Sequence, residues 1–229
     1  MEAIKKALNK ASEKYSKQIV IRALIQAIPY IGSSLDTLFA GKGNQIQFER
    51  LKHFLEILKE KLEKIEKDIY IQPSEEFFDL MVNIFDGVIK TRIKEKRERF
   101  ANIIINKIIN ESTRWDEAEI ATRLLKELDE IHIRILIEGI NAPICGSPFN
   151  GLKVITLKES KSNIQGPVNL KEKFPEYEIE VLRMVCAELV SRGLLYDEGI
   201  GRVDVKSMEY FTATKLAEWW LKWIIADIK

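Results

Sequence analysis

Six cations crowd into ten consecutive residues of this chain: Lys90, Arg92, Lys94, Lys96, Arg97 and Arg99, against only Glu95 and Glu98. Cations at that density can hold an anion, such as the phosphate of a nucleic-acid backbone or a lipid headgroup. On one continuous helix Lys90, Lys94 and Arg97 share a side and form the candidate anion-binding face. The plainer reading is a solvated helix surface with i,i+4 pairs such as Glu95 with Arg99.

Other chemistries have less to stand on. His53 and His132 lie far apart, and neither has a Cys, Asp or Glu at ligand spacing. Cys145 and Cys186 belong to no CxxC or cysteine–histidine pattern. Gly41-Lys42-Gly43 lacks the spacing of a P-loop, and Gly199-Ile200-Gly201 lacks the third glycine of a dinucleotide fingerprint. Glu75 with Glu76, and Asp116 with Glu117 and Glu119, fall in first helical turns, where the helix dipole accounts for them. No catalytic residue, metal or cofactor is therefore expected, and the chain reads as a non-enzyme.

Composition agrees. Of 229 residues 46% are hydrophobic and 31% charged, a globular balance with a strongly solvated surface. The net charge of +1 gives no overall pull toward nucleic acid or anionic lipid. Two cysteines without a framework fit a reducing, cytoplasmic setting.

The elements that must position these residues divide into two groups, and the fold expected is mainly α. Residues 1–128 read as a helical bundle. Its first part is a helix over 2–28, and its most apolar run is Gln18–Gly41. Arg22, Asp36 and the Pro29–Gly32 break argue against a membrane span there and for a buried hairpin. A heptad-like seam follows over 44–68: Phe48, Leu51, Leu55, Leu58, Leu62 and Ile65. Pro73-Ser74-Glu75-Glu76 starts a helix expected to run to Asn110. Asp116–Leu128 and Glu127–Gly139 are expected to be helical as well.

Residues 129–229 read as a winged-helix-like α+β domain. After the helix come a β-like run at Lys153–Leu157, a short helix Leu170–Phe174 and a stronger one Tyr177–Arg192. A hairpin of Leu194–Tyr196 with Tyr210–Thr212 and a closing helix Leu216–Ile228 complete it. That order is a helix-turn-helix with a β-hairpin wing. The charges speak against DNA. From residue 131 onward there are 13 Lys+Arg and 13 Asp+Glu, and the would-be recognition helix carries Glu178, Glu180 and Glu188 against Arg183 and Arg192. The last helix is apolar over about twice the ~100° that one partner needs. Trp219 and Trp223 on it, with Leu35 and Phe39 of the apolar hairpin, form the candidate interaction surface.

Three runs of residues resemble a known group. Glu95–Asn106, EKRERFANIIIN, resembles the charged helix ending in F/WANLLAN of the abortive-infection alpha-like group, bacterial helical-bundle proteins with a C-terminal winged-helix-like domain. Leu124–Leu136 resembles that group's L…LSPLxxxLL, with Asp129-Glu130 in place of the Ser-Pro. Leu189–Leu195 and Phe211–Leu216 are similar to the helix-to-wing junction and closing helix of many winged-helix proteins. The resemblance implies a prokaryotic cytoplasmic protein linked to phage defence, and it assigns no catalytic residue. The function expected is that of a non-enzymatic interaction or effector protein. It would act through a protein partner or a homo-oligomer, with membrane exposure of the hairpin on opening. The alternative is a winged-helix DNA-binding regulator, with nucleic acid as a less favoured partner.

Overall fold

The computed structural model describes residues 43–65, 74–110, 112–158 and 166–225. The expected helix at 2–28 and the apolar hairpin, including Leu35 and Phe39, lie outside the described residues. The chain divides into two compact units, Met1–Glu127 with Trp223–Ala226, and Leu128–Lys222 with Asp227–Lys229. The described residues form eight helices and one small mixed sheet. None of these helices is long and apolar enough to cross a membrane.

The first unit is helical. Helix α1 (Gly43–Glu63) buries Leu51, Leu55, Leu58 and Leu62 of the seam, and Phe54 with them. It packs within the chain, on α2 (Glu75–Lys90) and α3 (Lys94–Ile109). Ser74 caps α2, its Oγ accepting from the Phe77 N–H, and Phe77, Leu80, Met81, Ile84, Phe85 and Val88 fill the buried face. Helix α4 (Trp115–Glu127) covers α2 and α3.

The single helix expected from 75 to 110 is two. Thr91 is extended, and its N–H closes the last turn on the Gly87 carbonyl at 3.1 Å. Its Oγ1 accepts from the Ile93 N–H at 3.3 Å, a local bond that competes with helix continuation. Arginines hold the carbonyls the break leaves open. Arg50 Nη1 donates to Ile89 O at 2.7 Å, and Arg97 Nη1 to Thr91 O and Arg92 O at 3.2 and 3.3 Å.

Polar side chains of α3, Lys96 and Asn102 buried and Asn106 half-buried, are likewise matched to helix ends. Lys96 Nζ donates to the Lys126 carbonyl, Asn102 Nδ2 to Ile224 O at 2.8 Å and Asn106 Nδ2 to Trp223 O at 2.9 Å. The helices expected over Asp116–Leu128 and Glu127–Gly139 are separated at Leu128–Asp129. There His132 Nδ1 accepts from the Asp129 N–H at the start of α5 (Glu130–Asn141).

The second unit places α5 against the sheet and against α7. Strands β1 (Val154–Thr156), β2 (Val168–Asn169), β3 (Leu195–Asp197) and β4 (Tyr210–Ala213) stand in the order β2-β1-β4-β3. Strand β1 runs parallel to β2 and antiparallel to β4, and β4 pairs antiparallel with β3. Helix α6 (Leu170–Lys173) starts on Asn169, whose Oδ1 accepts two backbone N–H groups, and α7 (Ile179–Ser191) follows. Gly193, at φ 70°, ends α7 where a left-handed residue is required. Helix α8 (Lys215–Ile224) closes the described chain.

Candidate functional site

Two places gather chemistry. The first is the corner where α2 breaks and α3 begins, facing the first turns of α1. Arg50, His53, Arg92 and Arg97, with Gln45, Ile46 and Glu49, line an open cavity of about 790 Å³. Helical spacing puts Ile46, Arg50 and His53 on one side of α1, and the broken link delivers Arg92 and Arg97 to the same place. Arg97 Nε donates to His53 Nδ1 at 3.4 Å, so the His53 proton sits on Nε2. Burial lowers the His53 pKa, and the positive charges of Arg97 and Lys94 lower it further against the opposing pull of Glu56 and Glu60. Burial and the neighbouring Arg50 also lower Arg97, which nevertheless stays charged.

The candidate face of Lys90, Lys94 and Arg97 does not survive as one helix side, because the break at Thr91–Ile93 separates Lys90 from the other two. Lys90 is paired with Asp86 at 2.5 Å, which also takes Lys126 at 2.6 Å. Arg97 lines the cavity, and Lys94 lies close enough to act on His53. Arg92 and Lys94 are exposed, and neither side chain has a hydrogen bond or ion pair among the described residues. Arg50 comes from a helix some forty residues upstream, and no local pattern links it to the basic run.

The second place is the outer face of α7. Leu182, Val185, Cys186 and Leu189 turn inward, and burial pushes the Cys186 thiol up to about 12, so it is inert. The opposite side shows Val181, 37% exposed, and Met184, 56% exposed. Glu178, Glu180 and Glu188 are exposed too. Arg183 turns to the β3–β4 loop, its Nη1 donating to Met208 O at 3.1 Å. Glu188 Oε2 sits 2.7 Å from His132 Nε2.

Beside α7, one buried carboxylate holds the β3–β4 loop. Asp197 accepts from the Gly199 N–H at 2.9 Å, the Ser207 hydroxyl at 2.6 Å and the Met208 N–H at 2.9 Å. The outer loop carries Ile200 and Val203, both strongly exposed.

Of the candidate interaction surface, Trp219 is half-buried and Trp223 is buried, so Trp223 offers no outward face. The apolar arc of α8 is covered at Trp220, Leu221, Trp223 and Ile224. Leu35 and Phe39 are not among the described residues. No three His, Cys, Asp or Glu side chains among the described residues converge as a metal site. No family model, curated protein or solved structure matches this chain.

Proposed function

We propose that this chain is a non-enzymatic interaction protein whose second unit meets a protein partner through the outer face of α7. The setting is the one its resemblance implies, prokaryotic defence against phage. The observation that carries the reading is the grouping on that face of exposed Met184 and Val181 with Glu180, with Glu178 exposed at the helix start and Glu188 held by His132. Two apolar side chains one helical turn apart suit an anchor pocket, and methionine adapts to irregular partner surfaces. The carboxylates of Glu178 and Glu180 favour a partner with lysines or arginines around that pocket.

A second reading has its own support. The order α5, β1, β2, α6, α7, β3, β4, with β4 lying between β1 and β3, supports a winged-helix reading of the second unit. A DNA-binding regulator would insert α7 into the major groove. Here α7 would bring carboxylates, Glu180 and the Glu178 at its start among them, toward phosphates, which dominate nucleic-acid affinity. The protein-contact reading is preferred for that reason.

The test places a photo-reactive amino acid at Met184 and, as a control, at exposed Arg123 on α4. Irradiation in the producing cells should yield a protein adduct from position 184 and none from position 123. An adduct with DNA from position 184, or equal adducts from both positions, would overturn the proposal.

A further inference from the structure

We infer that the corner between α1 and the α2–α3 link binds the phosphate group of a small organic ligand of nucleotide size. The inference is independent of the α7 reading, because it concerns a different unit of the chain. Arg50 and Arg97 are half-buried, yet neither has an ion pair with a carboxylate among the described residues. A partly desolvated guanidinium without a counter-charge is costly, and an anion relieves that cost. Each of the two is held by backbone carbonyls through Nη1, which fixes its plane. A guanidinium has five N–H donors, so several remain on each. Arg92 and Lys94 add two cations whose side chains have no hydrogen bond or ion pair among the described residues.

His53 adds a donor of known direction. Its Nδ1 accepts from Arg97, so its Nε2–H is available to an oxygen in the cavity. Planar forks and a nitrogen donor around one space suit the oxygens of a phosphate. At about 790 Å³ the cavity is far larger than a phosphate ion and within the ordinary range of small-molecule clefts. Ile46, 57% exposed, forms an apolar wall and Gln45 offers an amide, which suits a ring attached to the phosphate. Glu49 is the one carboxylate among the described lining residues, and it disfavours a bare multiply charged anion lying on its side.

Calorimetric titration of the full chain with adenosine 5′-monophosphate, inorganic phosphate and sulfate tests the inference. Saturable binding is expected for all three, tightest for the nucleotide. Arg92→Gln should weaken nucleotide binding by about tenfold, the loss of one charge-assisted contact. Lys90→Gln should leave it unchanged, since Lys90 is held by Asp86. Sulfate does not titrate in this range, so it isolates His53. Its affinity should rise as the pH falls from about 7 to about 5.5, and His53→Gln should flatten that rise. Arg97 and Lys94 of α3 and Arg92 of the link oppose protonation, whereas Glu56 and Glu60 of α1 favour it. Absence of saturable heat from all three anions would overturn the site, as would equal weakening by Lys90→Gln and Arg92→Gln. A lipid phosphate would present the same chemistry. Flotation of the chain with phosphatidic acid vesicles, dependent on Arg92 and without any nucleotide heat, would overturn the assignment to a soluble ligand.

Discussion

Arg97 Nε donates to Nδ1 of His53 at 3.4 Å, and this bond between α3 and α1 sets the tautomer of the imidazole. Burial first, then the positive charge of Arg97, holds His53 below its ordinary value of 6.5. An NMR titration of the ring should therefore show a midpoint below 6.5. Arg97→Gln should move it only part of the way back, because burial remains.

The same shift has a consequence for stability. Between 6.5 and the lower folded value, the unfolded chain binds a proton that the folded chain refuses. Stability is therefore lost as the pH falls through that window. Denaturant unfolding in His53→Gln should show a shallower loss there than in the wild type. An identical pH profile would contradict the assigned shift.

Asp86 gives the opposite case. Burial works to raise its carboxyl, but hydrogen bonds and charge from Lys126 and Lys90 outweigh that and hold it below 3.8. Its contribution is present above 3.8 and disappears as the pH falls through the folded value. Asp86→Asn should lower the unfolding midpoint at neutral pH, and the difference should close on acidification.

Gly87 lets α2 and α3 approach. A Cβ built there would lie 2.5 Å from Cζ of Phe100, a fully buried ring that cannot swing aside. Gly87→Ala should destabilise by about 1–3 kcal/mol despite a gain in helix propensity. Phe100→Leu in the same chain should recover part of that loss, as read by chemical denaturation.

How much of this was legible in the sequence depends on how local the cause is. The seam Leu51-Leu55-Leu58-Leu62, the Ser74 cap, the Gly193 stop and the β3–β4 hairpin follow from periodicity, capping and turn chemistry within a few residues. The break at Thr91–Ile93 was not legible, because the residues there allow a helix and the arginine that takes the Ile89 carbonyl lies on α1. The basic run was visible, but its sorting was not. Asp86 occupies Lys90, and Arg50 joins Arg97 only through tertiary packing. Trp223 illustrates the same limit: a wide apolar arc shows that a helix has much to bury and leaves open which ring is covered. Strand β2 is two residues long and pairs in parallel with β1, too short for any periodic signal.

Asp197 is the acceptor on which the β3–β4 loop hangs. Asp197→Ala would leave the Gly199 and Met208 N–H groups and the Ser207 hydroxyl without their acceptor. A loss of about 2–4 kcal/mol is expected from groups that are largely shielded from water. Amide exchange should accelerate in 198–209 before it does in α7.

Helix α7 is proposed to meet protein and not nucleic acid, and fluorescence anisotropy with a labelled mixed-sequence DNA duplex separates the two. The wild-type chain should show no salt-dependent binding, and Glu178→Gln, Glu180→Gln and Glu188→Gln together should raise duplex affinity at low salt by removing repulsion. Wild-type binding whose constant falls steeply with salt, and which Met184→Lys leaves intact or strengthens, would contradict the account.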